Sequence, residues 1–203
     1  MNIGIVGARV IGGTLGKKWA AAGHHIKFGV RHPDNPEVQA LAQSLGDQAT
    51  VGSVADGVAF GEVIVFAIPG RAMDETIIAE SAALQGKIVI DAANKVGASV
   101  MHSVATLTTH APTAQVFRAF NSLGWENFEH PRFGDVQADL FYCGPAGEAQ
   151  AVIETLIAAV GLRPVWVGGL DQVQVVDALA GLWFALALNQ KRGRHLAFKL
   201  LSD

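Results

Sequence analysis

The sequence is poor in charge and in cysteine, and both shortages limit what the protein can be. Only 16% of its residues are charged and the formal net charge is −3, which gives no electrostatic basis for binding nucleic acid or an anionic membrane. Cys143 is the only cysteine, so an intramolecular disulfide and a thiolate metal cluster are excluded. No signal peptide is recognised, and the longest apolar run, residues 178–188, is too short to span a bilayer. We therefore expect a cytoplasmic protein.

Hydrophobic residues, by contrast, make up 50% of the chain, which suits a sheet that is buried on both faces. Short apolar runs predict buried parallel strands at residues 3–6, 26–30, 63–68 and 88–90, with a further strand at 116–120. Helical patterns lie between them at residues 12–22, 36–45, 54–60 and 73–84. This alternation predicts an α/β fold with a doubly wound, mostly parallel sheet.

The pattern changes after residue 120. A loop-rich stretch, residues 121–139, precedes a short strand at 140–143 and a helix at 148–160 that ends at Gly161. Another strand at 164–167 follows, and Asp171 is expected to cap a long apolar helix over 172–189. We therefore predict a nucleotide-binding core over residues 1–120 and a small C-terminal α/β lobe over 121–203.

The run IGIVGARVIGG, residues 3–13, is the most informative local pattern. An apolar strand leads into a glycine turn that opens a helix, which is the setting of a dinucleotide-binding fingerprint. A glycine at position 7 allows the sharp turn, one at position 12 allows close helix–strand packing, and the first N–H groups of the helix attract a pyrophosphate. The residues predicted to bind the cofactor here are Gly7, Ala8, Arg9, Val10, Ile11 and Gly12. The alternative is an ordinary strand–helix turn without a ligand.

Arg9 occupies the position of the second glycine in the usual G-x-G-x-x-G pattern. Two interpretations are open. The side chain lies over the phosphates and replaces backbone contacts by charge, or it crowds the pyrophosphate and weakens binding. The first is favoured, because a buried cation without an anion would be costly.

The end of the second strand bears on the choice between NAD and NADP. Enzymes that prefer NAD usually place a carboxylate there, whereas this chain offers Gly29, Val30, Arg31 and His32. A guanidinium pairs bidentately with a phosphate, so Arg31 and His32 predict binding of NADP(H) through its 2′-phosphate. The alternative is a solvated Arg31, or one that pairs with Asp34.

Two further strand ends reach the same edge of the sheet, where ligands bind in such folds. Ala67, Ile68 and Pro69 follow one strand and are placed to wall the nicotinamide. The run DAANK, residues 91–95, follows the next strand, and in it Asn94 can bind the carboxamide or a substrate and Lys95 an anion. The alternative for Asp91 and Asn94 is stabilisation of a turn.

No other catalytic pattern is present. The seven histidines form no pair with metal-ligand spacing, and no pair of carboxylates indicates an acid–base dyad. We therefore predict no metal site and assign no residue as a proton donor or acceptor in catalysis.

These motifs occur together with others in one order along nearly the whole chain. They are the turn at 7–13, Arg31, AIP at 67–69, DAANK at 91–95, AFNSLGWE at 119–126, PRFGD at 131–135, GLRPVWVGGL at 161–170, ALAGLWFALA at 178–187 and GRHLAFKLL at 193–201. The set resembles the NADPH-dependent coenzyme F420 reductases. It is also similar to the cytoplasmic domain of membrane metalloreductases that pass electrons from NADPH to a flavin.

The resemblance implies a Rossmann fold and hydride transfer between nicotinamide and a deazaflavin, coenzyme F420, or a flavin. It implies that Arg31 binds the 2′-phosphate and that Pro69 flanks the nicotinamide. Residues expected to line the acceptor pocket are Asn94, Phe120, Asn121 and the helix around Leu182 and Trp183. The chain departs from the family pattern at Ala8 and Val30, where hydroxyl residues are common, and at Lys95, where many relatives have proline.

Two other functions remain open. A reductase of a small carbonyl or imine would need a proton donor, for which Lys95 and Ser122 are the candidates. A non-catalytic NADP-binding redox sensor is the other, and Arg9 is its best support.

The helix predicted over residues 172–189 is apolar nearly all round, and a lobe of this size offers little core to surround it. We therefore expect a homodimer through the C-terminal lobe, with Trp183 near the acceptor pocket. The alternative is a helix that packs wholly within one subunit.

Overall fold

The computed structural model describes residues 1–202 and is built on a six-stranded sheet with strand order 3-2-1-4-5-6. Its strands are β1 (Asn2–Val6), β2 (His25–Gly29), β3 (Ala49–Gly52), β4 (Val63–Phe66), β5 (Ile88–Asp91) and β6 (Gln115–Arg118). The pairings of β2 with β3, of β1 with β2 and β4, and of β4 with β5 are all parallel. The predicted doubly wound α/β fold is confirmed.

The helices of this part of the chain lie between the strands. They are α1 (Val10–Ala21), α2 (Pro36–Gln43), α3 (Val54–Phe60), α4 (Met73–Ala79), α5 (Ser81–Leu84) and α6 (Val104–His110). A capping box starts α3, in which Ser53 and Asp56 satisfy each other's backbone N–H groups. The single helix predicted over 73–84 is interrupted at Glu80, where the Ala83 N–H donates a hydrogen bond of the 3₁₀ type to the Glu80 carbonyl.

The strand order fixes where a ligand crevice forms. The chain goes from β1 outward to β2 and β3, then returns to place β4 on the other side of β1. The connections after β1 and β4 therefore run to opposite sides, which opens a crevice at the carboxyl ends of these two strands. Both strands are buried and apolar, so they hold the edge of this crevice rigidly.

Two elements of this part were not predicted. The strand β3 has the short, partly exposed sequence ATVG, which lacks the continuous apolar run of its neighbours. The helix α6 follows a segment rich in small and polar residues and presents only Val104 and Leu107 as buried positions. Neither sequence carries a strong periodic signal.

The chain divides into two compact units, Met1–Val116 and a second one that begins at Phe117. The elements of the second unit are α7 (Glu126–Glu129), β7 (Arg132–Phe133), β8 (Val136–Gln137), β9 (Asp139–Tyr142), α8 (Glu148–Val160), β10 (Arg163–Trp166) and α9 (Val173–Phe184). The strands β9 and β10 pair in parallel, and β7 and β8 form a hairpin. The predicted left-handed stop of α8 at Gly161 is confirmed by its φ of 97°.

The last helix differs from its prediction. Asp171 lies in a 3₁₀ turn, Leu170–Gln172, and does not cap α9, which begins at Val173 and continues into a π-helical turn, Ala185–Asn189. The whole helical stretch, Leu170–Asn189, has 20 residues and is long and apolar enough to cross a membrane by length and composition alone. The apolar run of residues 178–188 is only part of this stretch. A core helix of a soluble protein passes the same test.

Candidate active site

The glycine turn after β1 requires both of its predicted glycines. Gly7 has a φ of +102°, and a Cβ there would lie 2.6 Å from the carbonyl oxygen of Ala67. A Cβ on Gly12 would lie 1.9 Å from the carbonyl oxygen of Gly7. The sharp turn and the close packing of α1 against β1 are therefore confirmed, and cofactor binding by these residues stays a prediction.

The N-terminus of α1 carries no compensating negative charge. Arg9 is the N-cap residue, its side chain makes no capping hydrogen bond, and the first turn contains no acidic residue. Arg9 is exposed and forms no ion pair within residues 1–202. The expectation that Arg9 is buried, and therefore needs an anion as a partner, is wrong, because its side chain is exposed to water. The positive end of a three-turn helix beside a solvated guanidinium still suits a phosphate.

The other turn residues differ in exposure. Ala8 and Ile11 are half-buried, whereas the side chain of Val10 is 54% exposed. Any contact of Val10 with a ligand would therefore be made at the open surface of the turn.

Arg31 and His32 lie exposed just beyond β2. No carboxylate pairs with Arg31 in the described part of the chain, so the alternative of a pair with Asp34 is not found. The Val30 N–H donates to the Gly52 carbonyl at 3.0 Å, which brings Ser53 to the same edge. Ser53 directly follows β3, a strand that was not predicted, and is the N-cap of α3. Its hydroxyl donates to Asp56 Oδ2 at 2.6 Å.

These features together fit an NADP dinucleotide. The lack of a Cβ at Gly7 and Gly12 lets α1 pack closely after the sharp turn, and the first turn of α1 contains no acidic residue. An unpaired guanidinium stands at the end of β2, where the ribose of such a cofactor lies.

A pocket of about 550 Å³ opens between the segments that follow β4 and β5. It is lined by Pro69, Gly70, Arg71, Asp74, Asn94, Lys95, Val96 and Ala98. The two segments are in close contact, since a Cβ on Gly70 would lie 2.5 Å from the carbonyl oxygen of Asn94. The structure thus brings the predicted residues Pro69, Asn94 and Lys95 together, and it adds Arg71 and Asp74, which sequence reasoning missed.

An ion pair crosses this pocket. Lys95 Nζ lies 2.7 Å from Asp74 Oδ2, and the Thr106 hydroxyl donates to Asp74 Oδ1 at 2.7 Å. Burial disfavours the ionised form of this carboxyl, but the hydrogen bonds from Lys95 and Thr106 outweigh that cost and lower the pKa of Asp74. Asp74 is therefore ionised at neutral pH, and its charge neutralises that of Lys95.

The Asp91 side chain stabilises the backbone that follows β5. Its buried carboxylate accepts hydrogen bonds from the Ser103 N–H at 2.7 Å and the Ala93 N–H at 3.2 Å. For this residue the alternative of turn stabilisation is confirmed. Ala67 and Ile68 are half-buried and lie against the Gly7 turn, on the predicted nicotinamide side of the crevice.

The remaining predicted acceptor residues belong to the second unit. Phe120 is buried with a φ of +61°, an uncommon backbone conformation for an aromatic residue, and its ring meets Phe128 edge to face. Asn121 Nδ2 donates to Asp177 Oδ1 at 3.1 Å. Arg118, whose side chain is fully buried, pairs with the same carboxylate at 2.8 Å. A strained turn is thus tied to α9 by a buried ionic network that sequence reasoning did not find.

Trp183 is buried on α9 and its indole N–H donates to the Leu196 carbonyl at 2.8 Å. The guanidinium of Arg194 lies 5.3 Å from its ring centroid, and Gly124 leaves room for the ring edge. Phe120, Asn121 and Trp183 therefore all belong to the second unit, in which Asp177 links the segment after β6 to α9. That they form a pocket for an acceptor stays a prediction.

Residues 1–202 contain no group of three or more His, Cys, Asp or Glu side chains that could hold a metal ion.

Comparison with solved structures shows the fold. A candidate F420-dependent NADP reductase from Arthrobacter sp. FB24 superposes with a TM-score of 0.84 at 19% identity, covering 98% of this chain and 99% of that one. A hypothetical protein from Sinorhizobium meliloti gives 0.69 at 22% identity, covering 100% and 96%. A pyrroline-5-carboxylate reductase from Coxiella burnetii gives 0.64 at 17% identity, covering 93% and 68%. No curated protein sequence matches the chain.

Comparison with sequence families bears on the part of the chain that carries the glycine turn, Arg31 and most of the pocket lining. Residues 2–95 match the family described as NADP oxidoreductase, coenzyme F420-dependent. NADP-dependent oxidoreduction is the activity that this family and the fold support together. The resemblance found in the sequence is therefore confirmed, since residues 2–95 match the coenzyme F420-dependent NADP oxidoreductases.

Proposed function

We propose that the protein transfers a hydride between NADP(H) and a flat deazaflavin, coenzyme F420, or a flavin. The observation that carries the proposal is the combination, within the family-matched residues, of an acid-free helix N-terminus with an unpaired Arg31 at the end of β2. The first suits a pyrophosphate and the second a 2′-phosphate.

The chain's own residues would bind and orient the two ring systems. Gly7 would make the turn and Gly12 the close packing that set the N-terminus of α1 against the pyrophosphate, with Arg9 above it, and Arg31 would pair with the 2′-phosphate. Ala67, Ile68 and Pro69 would wall the nicotinamide, which supplies or accepts the hydride when NADP(H) is bound. Such a transfer depends on stacking and distance more than on a proton relay, in agreement with a site that offers no acid–base dyad.

The acceptor residues in this proposal are Asn94, Phe120, Asn121 and Trp183. Because the Trp183 N–H is already bonded to a carbonyl, its contribution would come from the ring. The strained backbone at Phe120 and the bond from Asn121 to Asp177 support a fixed, pre-organised wall.

A reductase of a small carbonyl or imine is the second candidate. Its support is Lys95, a proton donor that lines the pocket beside Asn94. Against it, the ammonium of Lys95 is held by Asp74, and the other candidate donor, Ser122, is buried in the second unit. A non-catalytic redox sensor would bind NADP(H) through the same residues without turnover.

One experiment separates the three functions. The purified protein is mixed with NADPH, and coenzyme F420, FMN or a cyclic imine is added while the absorbance of NADPH is followed. Oxidation of NADPH with F420 or FMN supports the proposal, and oxidation with the imine alone supports the second candidate. Tight NADPH binding without turnover of any acceptor supports the sensor.

We further propose a cytoplasmic homodimer that forms through α9. Two large apolar side chains on this helix are about half exposed, Val175 at 53% and Leu182 at 47%. They lie seven positions apart, about two helical turns, and share one face with the exposed Ala178. An exposed apolar face of this kind is typical of a contact with another protein surface.

A further inference from the structure

We infer that the pocket after β4 and β5 is an anion subsite, through which the protein selects an acceptor that carries a phosphate or carboxylate group. The inference rests on the proposed function, since it names the class of acceptor. It stands on two cations, Arg71 and Lys95, that line one pocket with a single carboxylate, Asp74.

Arg71 is the unbalanced charge in this group. It is exposed, and no carboxylate pairs with it among the residues that the structure describes. Asp74 is committed to Lys95, with N–O distances of 2.7 and 2.9 Å, and to the Thr106 hydroxyl. The lining therefore carries one positive charge in excess, and that charge has no partner within the protein.

The phosphates of the nucleotide are proposed to bind at other residues. The N-terminus of α1 and Arg9 suit the pyrophosphate, and Arg31 stands at the end of β2, two strands away from β4 across the sheet. Arg71 follows β4, after the residues proposed to wall the nicotinamide. A cation at this point lies on the side of the reacting ring, where the acceptor must approach.

The size and lining of the pocket also suit part of an acceptor. A volume of about 550 Å³ is within the range of small-molecule sites. Its rim carries Val96, whose side chain is 76% exposed on the segment after β5. An exposed apolar side chain beside a cation suits a molecule that combines a ring with an anionic tail.

Riboflavin and FMN test whether the pocket selects an anionic acceptor, because they share the same isoalloxazine ring system and differ by one phosphate group. Turnover of each with NADPH gives a ratio of kcat/KM, and fluorescence quenching in the presence of saturating NADP⁺ gives a ratio of Kd. We expect the wild type to favour FMN, and Arg71→Gln to lower that preference about three- to tenfold. Asp74→Asn, which releases Lys95 from its partner, should raise it. Lys17→Gln removes an exposed charge from α1, outside the pocket, and serves as the control.

The opposite signs of the two variants are the decisive feature, since a structural defect would lower both activities alike. An unchanged FMN-to-riboflavin ratio in Arg71→Gln overturns the inference. So does a weaker binding of NADPH by this variant with an unchanged ratio, which would assign Arg71 to the nucleotide. If neither flavin is turned over, the flavin form of the proposed function fails, while the Kd ratio with NADP⁺ bound still decides whether the anion subsite exists.

Discussion

Replacement of Arg31 by glutamine should weaken the binding of NADPH and leave the binding of NADH unchanged. Glutamine keeps much of the length and polarity of the side chain and removes the charge that pairs with the 2′-phosphate. Arg31 has no partner within residues 1–202, so its removal leaves no carboxylate unpaired and should not destabilise the fold.

The exposure of Arg31 sets the size of the effect. A hydrogen bond to a charged group contributes about 1.5–3 kcal/mol when it is sheltered. Exposed ion pairs contribute only about 0.2–1 kcal/mol, because water screens them. A bidentate contact with a doubly charged phosphate at an exposed position falls between these ranges, at about 1–1.5 kcal/mol. The Kd for NADPH should therefore rise about 5- to 12-fold.

Isothermal titration of wild type and variant with NADPH and NADH measures this directly. Lys17→Gln removes one positive charge from the same unit and should change both affinities little, which controls for general electrostatics. A wild type that binds NADH as tightly as NADPH refutes the assignment of Arg31, as does an equal loss of affinity for both nucleotides in Arg31→Gln.

Three further predictions concern other parts of the molecule. Arg9→Gly should lower NADPH affinity by an amount that shrinks in high salt, and a clear gain of affinity in titrations would show that Arg9 obstructs the site. Arg118→Met should lower the free energy of unfolding by urea by about 3–5 kcal/mol, because Asp177 stays buried without its cationic partner. The double variant Arg118→Met with Asp177→Leu should recover much of this loss. A loss below about 1 kcal/mol in Arg118→Met would contradict the account. Leu182→Glu should convert a dimer into a monomer in light scattering, and a wild type that is already monomeric excludes the dimer.

The fold was predictable wherever a residue's role is decided by its close neighbours in sequence. Buried parallel strands such as β1 and β4 are continuous apolar runs, and Ser53 with Asp56 forms a capping box within four residues. The strand β3 was missed because its position beside β2, not its own composition, makes it a strand. The start of α9 was misplaced because Asp171 has the composition of a cap but lies in a 3₁₀ turn.

The candidate site was predictable in the same measure. Gly7 and Gly12 are required by backbone geometry over six residues, so their pattern is visible in the sequence. Lys95 and Asp74 are separated by 21 positions and meet only because β4 and β5 are neighbours in the sheet. No local pattern reports such a contact. The partner of Arg118 lies 59 positions away and was missed for the same reason.

Transfer of deuterium from NADPH labelled at C4 of the nicotinamide to coenzyme F420 tests the central claim most directly. A hydride received by the deazaflavin ring forms a carbon–hydrogen bond, which does not exchange with water, so mass spectrometry retains the label. The account predicts that one of the two C4-deuterated forms of NADPH yields labelled, reduced F420, with label and NADPH oxidation in equal amounts. Reduced F420 that carries no label from either form, or NADPH that remains unoxidised with F420 and with flavins, would contradict it.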